Sequence, residues 1–162
     1  MHNTTETPSQ KYLETLKLYY EEEIEGEAYF EGIADSLSDP DQKAKMMKLA
    51  AVEDYAAKAV FPLIEKYSIT PRTREDLRAS GFQQARGASS DWADLIAEMQ
   101  KTFPGYVDDF LGLEALAPAE DLPLLKILTA HEVAAIDFLN AEAKAVANSD
   151  ACMDHYLKTG TA

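Results

Sequence analysis

Residues 46–64 read MMKLAAVEDYAAKAVFPLI, and their apolar residues recur at helical spacing. At about 100° per residue, Met46, Leu49, Ala50, Ala57, Val60 and Ile64 fall within roughly 60° of Glu53. The stretch reads as a helix that buries one face and carries a carboxylate in the middle of it. Such a carboxylate is costly unless a metal ion, a partner charge or a proton neutralises it. What Glu53 faces is therefore the question on which fold and function both turn.

Working outward, Asp39-Pro40 opens this helix as an N-cap followed by proline, and Tyr67 ends it. Pro62 lies inside and should bend its last turns. Upstream, Thr7-Pro8 gives the same start signal for a helix running to Leu37. The link SDP (38–40) is so short that the two helices must be antiparallel neighbours. Thr70-Pro71 then opens TPRTREDLRASGFQQARGASS, polar and broken by Gly81 and Gly87. It reads as a short helix within a crossover spanning residues 68–90. Ser89 or Ser90 caps a third helix from Asp91 to Leu116, disturbed at Pro104-Gly105. After the turn APAEDLP, a fourth helix runs from Leu122 to Val146, and residues 147–162 form a tail with a short helical piece. No period-2 alternation persists. The expected fold is all-α: one domain over residues 1–162, a four-helix bundle of two hairpins with a long crossover.

The 162 residues are 46% hydrophobic, enough for one sizeable core. A formal net charge of −14 argues against nucleic acid and anionic membrane as partners, since both need a basic surface. The basic run RTREDLR is too short to reverse that. Cys152 is the only cysteine, so no internal disulfide forms and a reducing compartment is expected. With no apolar leader and no 18-residue apolar run, a cytoplasmic protein is the expectation. Leu18, Ile33 and Ala44 mark an apolar strip along which a homodimer is expected to pair. No Gly-rich phosphate loop, Ser-His-Asp arrangement or zinc spacing occurs.

The other long helices also carry inward carboxylates. Leu13, Leu16, Tyr20, Phe30 and Ala34 surround Glu27 in the first, with Glu23 and Glu31 flanking the same face and Glu25 opposite. In the fourth, Leu125, Leu128, Ala135, Ile136, Leu139, Ala143 and Val146 surround Glu132. At about 1.5 Å per residue, Glu27, Glu53 and Glu132 sit near mid-bundle and are expected to converge. The third helix offers no inward carboxylate there; Tyr106 is its best-placed polar group and Asp109 the off-stripe alternative. His131 points about 100° from Glu132 and reads as a flank residue.

IEGEAYFEG (24–32) and KLAAVEDYA (48–56) resemble the first two helices of rubrerythrins and aldehyde-deformylating oxygenases, in the ferritin-like superfamily of di-iron carboxylate proteins. The resemblance covers residues 12–146 and implies a bundle with two lone glutamates and two Glu-x-x-His pairs at its metal site. By position Glu27 is similar to the first helix's ligand, with Glu25 a competing alignment. Glu53 and Glu132 match the glutamates of the two pairs. Ala56 and Ala135 stand where the pair histidines belong, and the third helix's glutamate is missing. About three of six protein ligands remain, too few for a full di-iron centre. Glu27, Glu53 and Glu132 alone would suit a hard divalent ion such as Mg²⁺, Ca²⁺ or Mn²⁺ rather than an iron pair, with a single Fe ion the remaining candidate. Two functions follow: a metal-binding oxidoreductase with an altered centre, or a metal-free bundle. The metal-free bundle would bind a small ligand in space vacated by the histidines, or act as an oligomeric interaction protein.

Overall fold

The computed structural model describes residues 7–162. It is all-helical, with no strand among the described residues. The elements are α1 (Gln10–Ser36), α2 (Pro40–Lys66), α3 (Arg74–Ala85), α4 (Trp92–Leu116), α5 (Leu122–Ala143) and α6 (Ala151–Thr159), with a 3₁₀ turn at Ala119–Asp121. No described helix is long and apolar enough to cross a membrane.

Asp39 caps α2 as expected, its side chain accepting from the Gln42 amide. Three other caps fall one to three residues later than predicted. Ser9 rather than Thr7 caps α1, Thr73 rather than Thr70 caps α3, and Asp91 rather than Ser90 caps α4. In each case the capping oxygen accepts the amide three residues on, which fixes the first turn. The Pro104-Gly105 pair does not interrupt α4, and α5 ends at Ala143 rather than Val146, where Ala145 turns the chain at φ 53°.

α1 packs on α2 and α3, α2 on α5, α4 on α5, and α6 on α5 and α2; α1 meets α4 only lightly. Two apolar clusters fill the interior. One gathers Phe30, Met46, Leu49, Leu95, Met99 and Phe138, and the other Tyr12, Leu16, Val60, Phe110, Leu125 and Leu128. On α1, α2 and α5 the clusters leave a gap in sequence, and Glu23, Glu53, His131 and Glu132 lie in those gaps. Of the apolar strip expected to pair two copies, Leu18 and Ala44 are exposed, but Ile33 is buried in the first cluster and breaks the strip.

Below the second cluster, buried Asp121 accepts from Tyr12 Oη at 2.7 Å, Tyr67 Oη at 2.6 Å and Lys66 Nζ at 2.7 Å. Burial opposes its charge, but Lys66 and the two hydroxyls outweigh that and hold the carboxyl below its ordinary range. This network joins the start of α1, the end of α2 and the turn before α5.

α3 lies unusually close to α1. A Cβ on Gly81 would stand 2.1 Å from the Glu25 carbonyl oxygen and 2.8 Å from Ala28 Cβ; one on Gly32 would stand 2.7 Å from Ala85 Cβ. The α1 backbone cannot yield, so Gly81→Ala should force α3 outward at a cost of about 1–3 kcal/mol. Urea unfolding measures this, and an unchanged midpoint would mean that α3 does not dock through Gly81.

Candidate functional site

Four buried polar side chains from three helices meet in the gap between the apolar clusters: Glu23 (α1), Glu53 (α2), His131 and Glu132 (α5). His131 Nε2 is the centre, 2.9 Å from Glu23 Oε2, 3.3 Å from Glu53 Oε2 and 3.5 Å from Glu132 Oε2. On the other side of the ring, Nδ1 meets the Leu128 carbonyl. A carbonyl only accepts, so Nδ1 carries a proton in either state, and Nε2, protonated when the ring is charged, faces the carboxylates. Phe110 packs against the imidazole, with ring centroids 5.3 Å apart.

Gly26 makes room for this arrangement. A Cβ there would lie 3.1 Å from Cδ and Oε2 of Glu53, so the missing methyl lets that carboxylate rest against α1.

The electrostatics follow from burial and crowding. Burial and the Glu53 charge push Glu23 well above its ordinary range. Burial works the same way on Glu53, but Glu23 and His131 overrule it and hold Glu53 low, so the two carboxyls titrate as a pair sharing one proton. Burial pushes Glu132 up to about 8. Burial opposes a charged His131, yet Glu23 and Glu53 raise it well above its usual range. Despite these short approaches, Nε2, Glu23 Oε2 and Glu132 Oε1 are buried without a hydrogen-bond partner among the described residues. The contacts have charge attraction without hydrogen-bond geometry.

The expected set of Glu27, Glu53 and Glu132 is thus only partly brought together. Glu53 and Glu132 share His131, whereas Glu27 is turned to α3 and paired with Arg74 at 3.2 Å and Arg78 at 3.1 Å. Glu25, the competing alignment, also faces α3. It pairs with Arg72 at 2.6 Å and accepts from Ser80 and Gln84 at 2.8 Å. The basic run of the crossover accounts for both: it supplies counter-charges to the outer side of α1, and Glu23, one turn earlier, turns inward instead. His131 is the residue that sequence reasoning misplaced. Far from flanking the core, it is fully buried at the centre of the cluster.

A cleft of about 400 Å³ opens above the cluster where α1 and α4 meet lightly. Glu23, Glu53 and Glu132 line it together with Phe103, Tyr106 and Phe110. Tyr106 is 42% exposed and makes no side-chain hydrogen bond to the glutamates; Asp109 is exposed and lies outside the lining. Ala56 and Ala135 are also outside it, buried among apolar neighbours in the two clusters. The open space therefore lies along α4 rather than where histidines would have stood.

No family model, curated protein or solved structure matches the chain.

Proposed function

We propose that this chain is a ferritin-like helical protein that holds one divalent metal ion through Glu23, Glu53 and His131. One observation carries the reading: a carboxylate oxygen from each glutamate and a ring nitrogen of His131 lie within 4.8 Å of one another. Donors so spaced can all approach one ion after small side-chain rotations, given metal–ligand distances near 2.0–2.3 Å. The Nδ1 contact with the Leu128 carbonyl adds the outer hydrogen bond that commonly fixes a metal-binding imidazole. Two carboxylates also balance a divalent charge, which removes the problem that Glu53 alone poses.

The contacts among α1, α2, α5 and α4 close a ring, which supports a four-helix bundle, with α3 as the crossover and α6 as an addition. On that reading the ligand from the last long helix is its histidine, and Leu128 occupies the place three residues before it. The donors do not fit two irons. One imidazole and the glutamates of three helices are present, α4 contributes no carboxylate to the cluster, and Ala56 and Ala135 are sealed in apolar packing. An imidazole among the donors shifts the preference from Mg²⁺ and Ca²⁺ towards Mn²⁺, Fe²⁺ or Zn²⁺. When bound, such an ion supplies Lewis acidity, and manganese or iron adds one-electron chemistry. Glu132, 3.5 Å from Nε2, stands just outside the ligand set.

Metal analysis of the purified protein, with Mn²⁺ titration of chelator-treated protein, tests this. About one ion per chain is expected, lost in Glu23→Gln. Two ions per chain would restore the di-iron centre. Failure of Mn²⁺, Fe²⁺ and Zn²⁺ alike would leave a cluster held by shared protons.

A further inference from the structure

We infer that the α1–α4 cleft is a binding pocket for a small organic cation of the primary-amine class, held by the free oxygen of Glu132. This goes beyond the metal proposal and stands on different atoms. Glu132 is 4% exposed, lines the cleft, and its Oε1 is buried with no hydrogen-bond partner. A buried carboxylate oxygen left unpartnered is expensive, and the cleft is the open space beside this side chain.

The lining narrows the chemistry. It holds five glutamates and neither lysine nor arginine. Glu25 is answered by Arg72, just ahead of α3. A single divalent ion would answer Glu23 and Glu53. Glu132 and the exposed Glu22 remain as acceptors with no cationic side chain in the lining, so a carboxylate or phosphate finds no partner there while an ammonium donor does. Phe103, Tyr106 and Phe110 form an aromatic wall beside these charges. Ring faces attract an ammonium group and pack an alkyl stem, a combination that a hydrated metal ion does not need. A primary ammonium carries three donors, enough to satisfy Glu132 Oε1 and still reach its neighbours. About 400 Å³ is within the range of small-ligand sites.

Calorimetric titration with 1,4-diaminobutane, and with the uncharged 1,4-butanediol, tests the inference on chelator-treated and on Mn²⁺-loaded protein. The diamine should bind both forms and the diol neither. Glu132→Gln should weaken the diamine at least ten-fold while still binding one Mn²⁺, read from its paramagnetic resonance. No binding of the diamine, equal binding of the diol, undiminished binding by Glu132→Gln, or displacement of the diamine by Mn²⁺ would each overturn it. Should Glu132→Gln fail to fold, Tyr106→Ala at the exposed mouth decides, with several-fold weaker binding expected and unchanged binding counting against the pocket. Diamine binding that persists in a protein unable to take up Mn²⁺ would remove the metal proposal alone.

Discussion

Replacing His131 with alanine should abolish tight Mn²⁺ binding and destabilise the chelator-treated protein by roughly 3–5 kcal/mol at neutral pH. Both effects come from the position of Nε2, within 3.5 Å of carboxylate oxygens on Glu23, Glu53 and Glu132. The imidazole supplies the only nitrogen among the proposed ligands and, among the described residues, the only counter-charge touching Glu23, Glu53 and Glu132. Its removal leaves Glu53 charged without a counter-charge, beside Glu23 and Glu132, which already hold protons, so Glu53 must take one up to remain inside and the deficit should grow as pH rises. Loss of a ligand should weaken Mn²⁺ by more than roughly 100-fold, beyond what outer-shell changes typically cost. Paired melting curves and Mn²⁺ titrations measure the two effects. An alanine variant that binds Mn²⁺ like the parent would show that the ion sits elsewhere.

The all-helical class and the helix positions were legible because they rest on periodicity and punctuation. Helical stripes flanked by Asp39-Pro40, the Pro71 segment and APAEDLP placed every long helix to within a few residues. Cap positions slipped where two candidates stood close together, as with Thr7 and Ser9, because only the amide three residues on decides between them. The site was half legible. Glu53 and Glu132 were found because a carboxylate on an apolar stripe is anomalous. Glu27 reads as central and Glu23 as its flank on the same face, yet the two lie only about 40° apart on a helix, too little for stripe geometry to separate. Two other signals favoured Glu23. Its distance from the hairpin matches: it stands 14 residues before Leu37, as Glu53 stands 14 after Asp39. The arginines of TPRTREDLR also required acidic partners on an adjacent helix, and Glu21, Glu25, Glu27 and Glu31 are the residues they meet. His131 was lost to the rigid-angle argument. A side chain as long as histidine's is poorly located by its Cα direction alone. The cleft was not legible, because the light contact between α1 and α4 follows from how the hairpins sit together rather than from local pattern.

Between pH 5 and 8 the chelator-treated protein should lose stability, while the Mn²⁺-loaded protein should hold or gain it. Glu132 has its carboxyl raised to about 8 by burial, against an ordinary value of 4.5. Between those values the folded chain keeps a proton that the unfolded chain has released, so stability falls with rising pH. One group shifted this far accounts for a few kcal/mol at most. Glu23, raised by burial and by Glu53, acts in the same direction. So does His131, whose raised value makes its contribution complete below the ordinary 6.5 and lost as pH climbs through the folded value. Glu53, held low, contributes above the ordinary carboxyl value and loses that contribution only in acid, below this window. A divalent ion reverses the slope, because it binds deprotonated glutamate and the free Nε2 lone pair and expels the protons that otherwise hold the cluster together. Stabilisation by Mn²⁺ should therefore increase with pH, and binding should release protons measurable in a weakly buffered solution. Melting curves at half-unit pH steps, with chelator and with Mn²⁺, give both slopes. A chelator-treated curve that stays level from pH 5 to 8 would mean that these carboxyls are already solvated and that no buried charge awaits an ion.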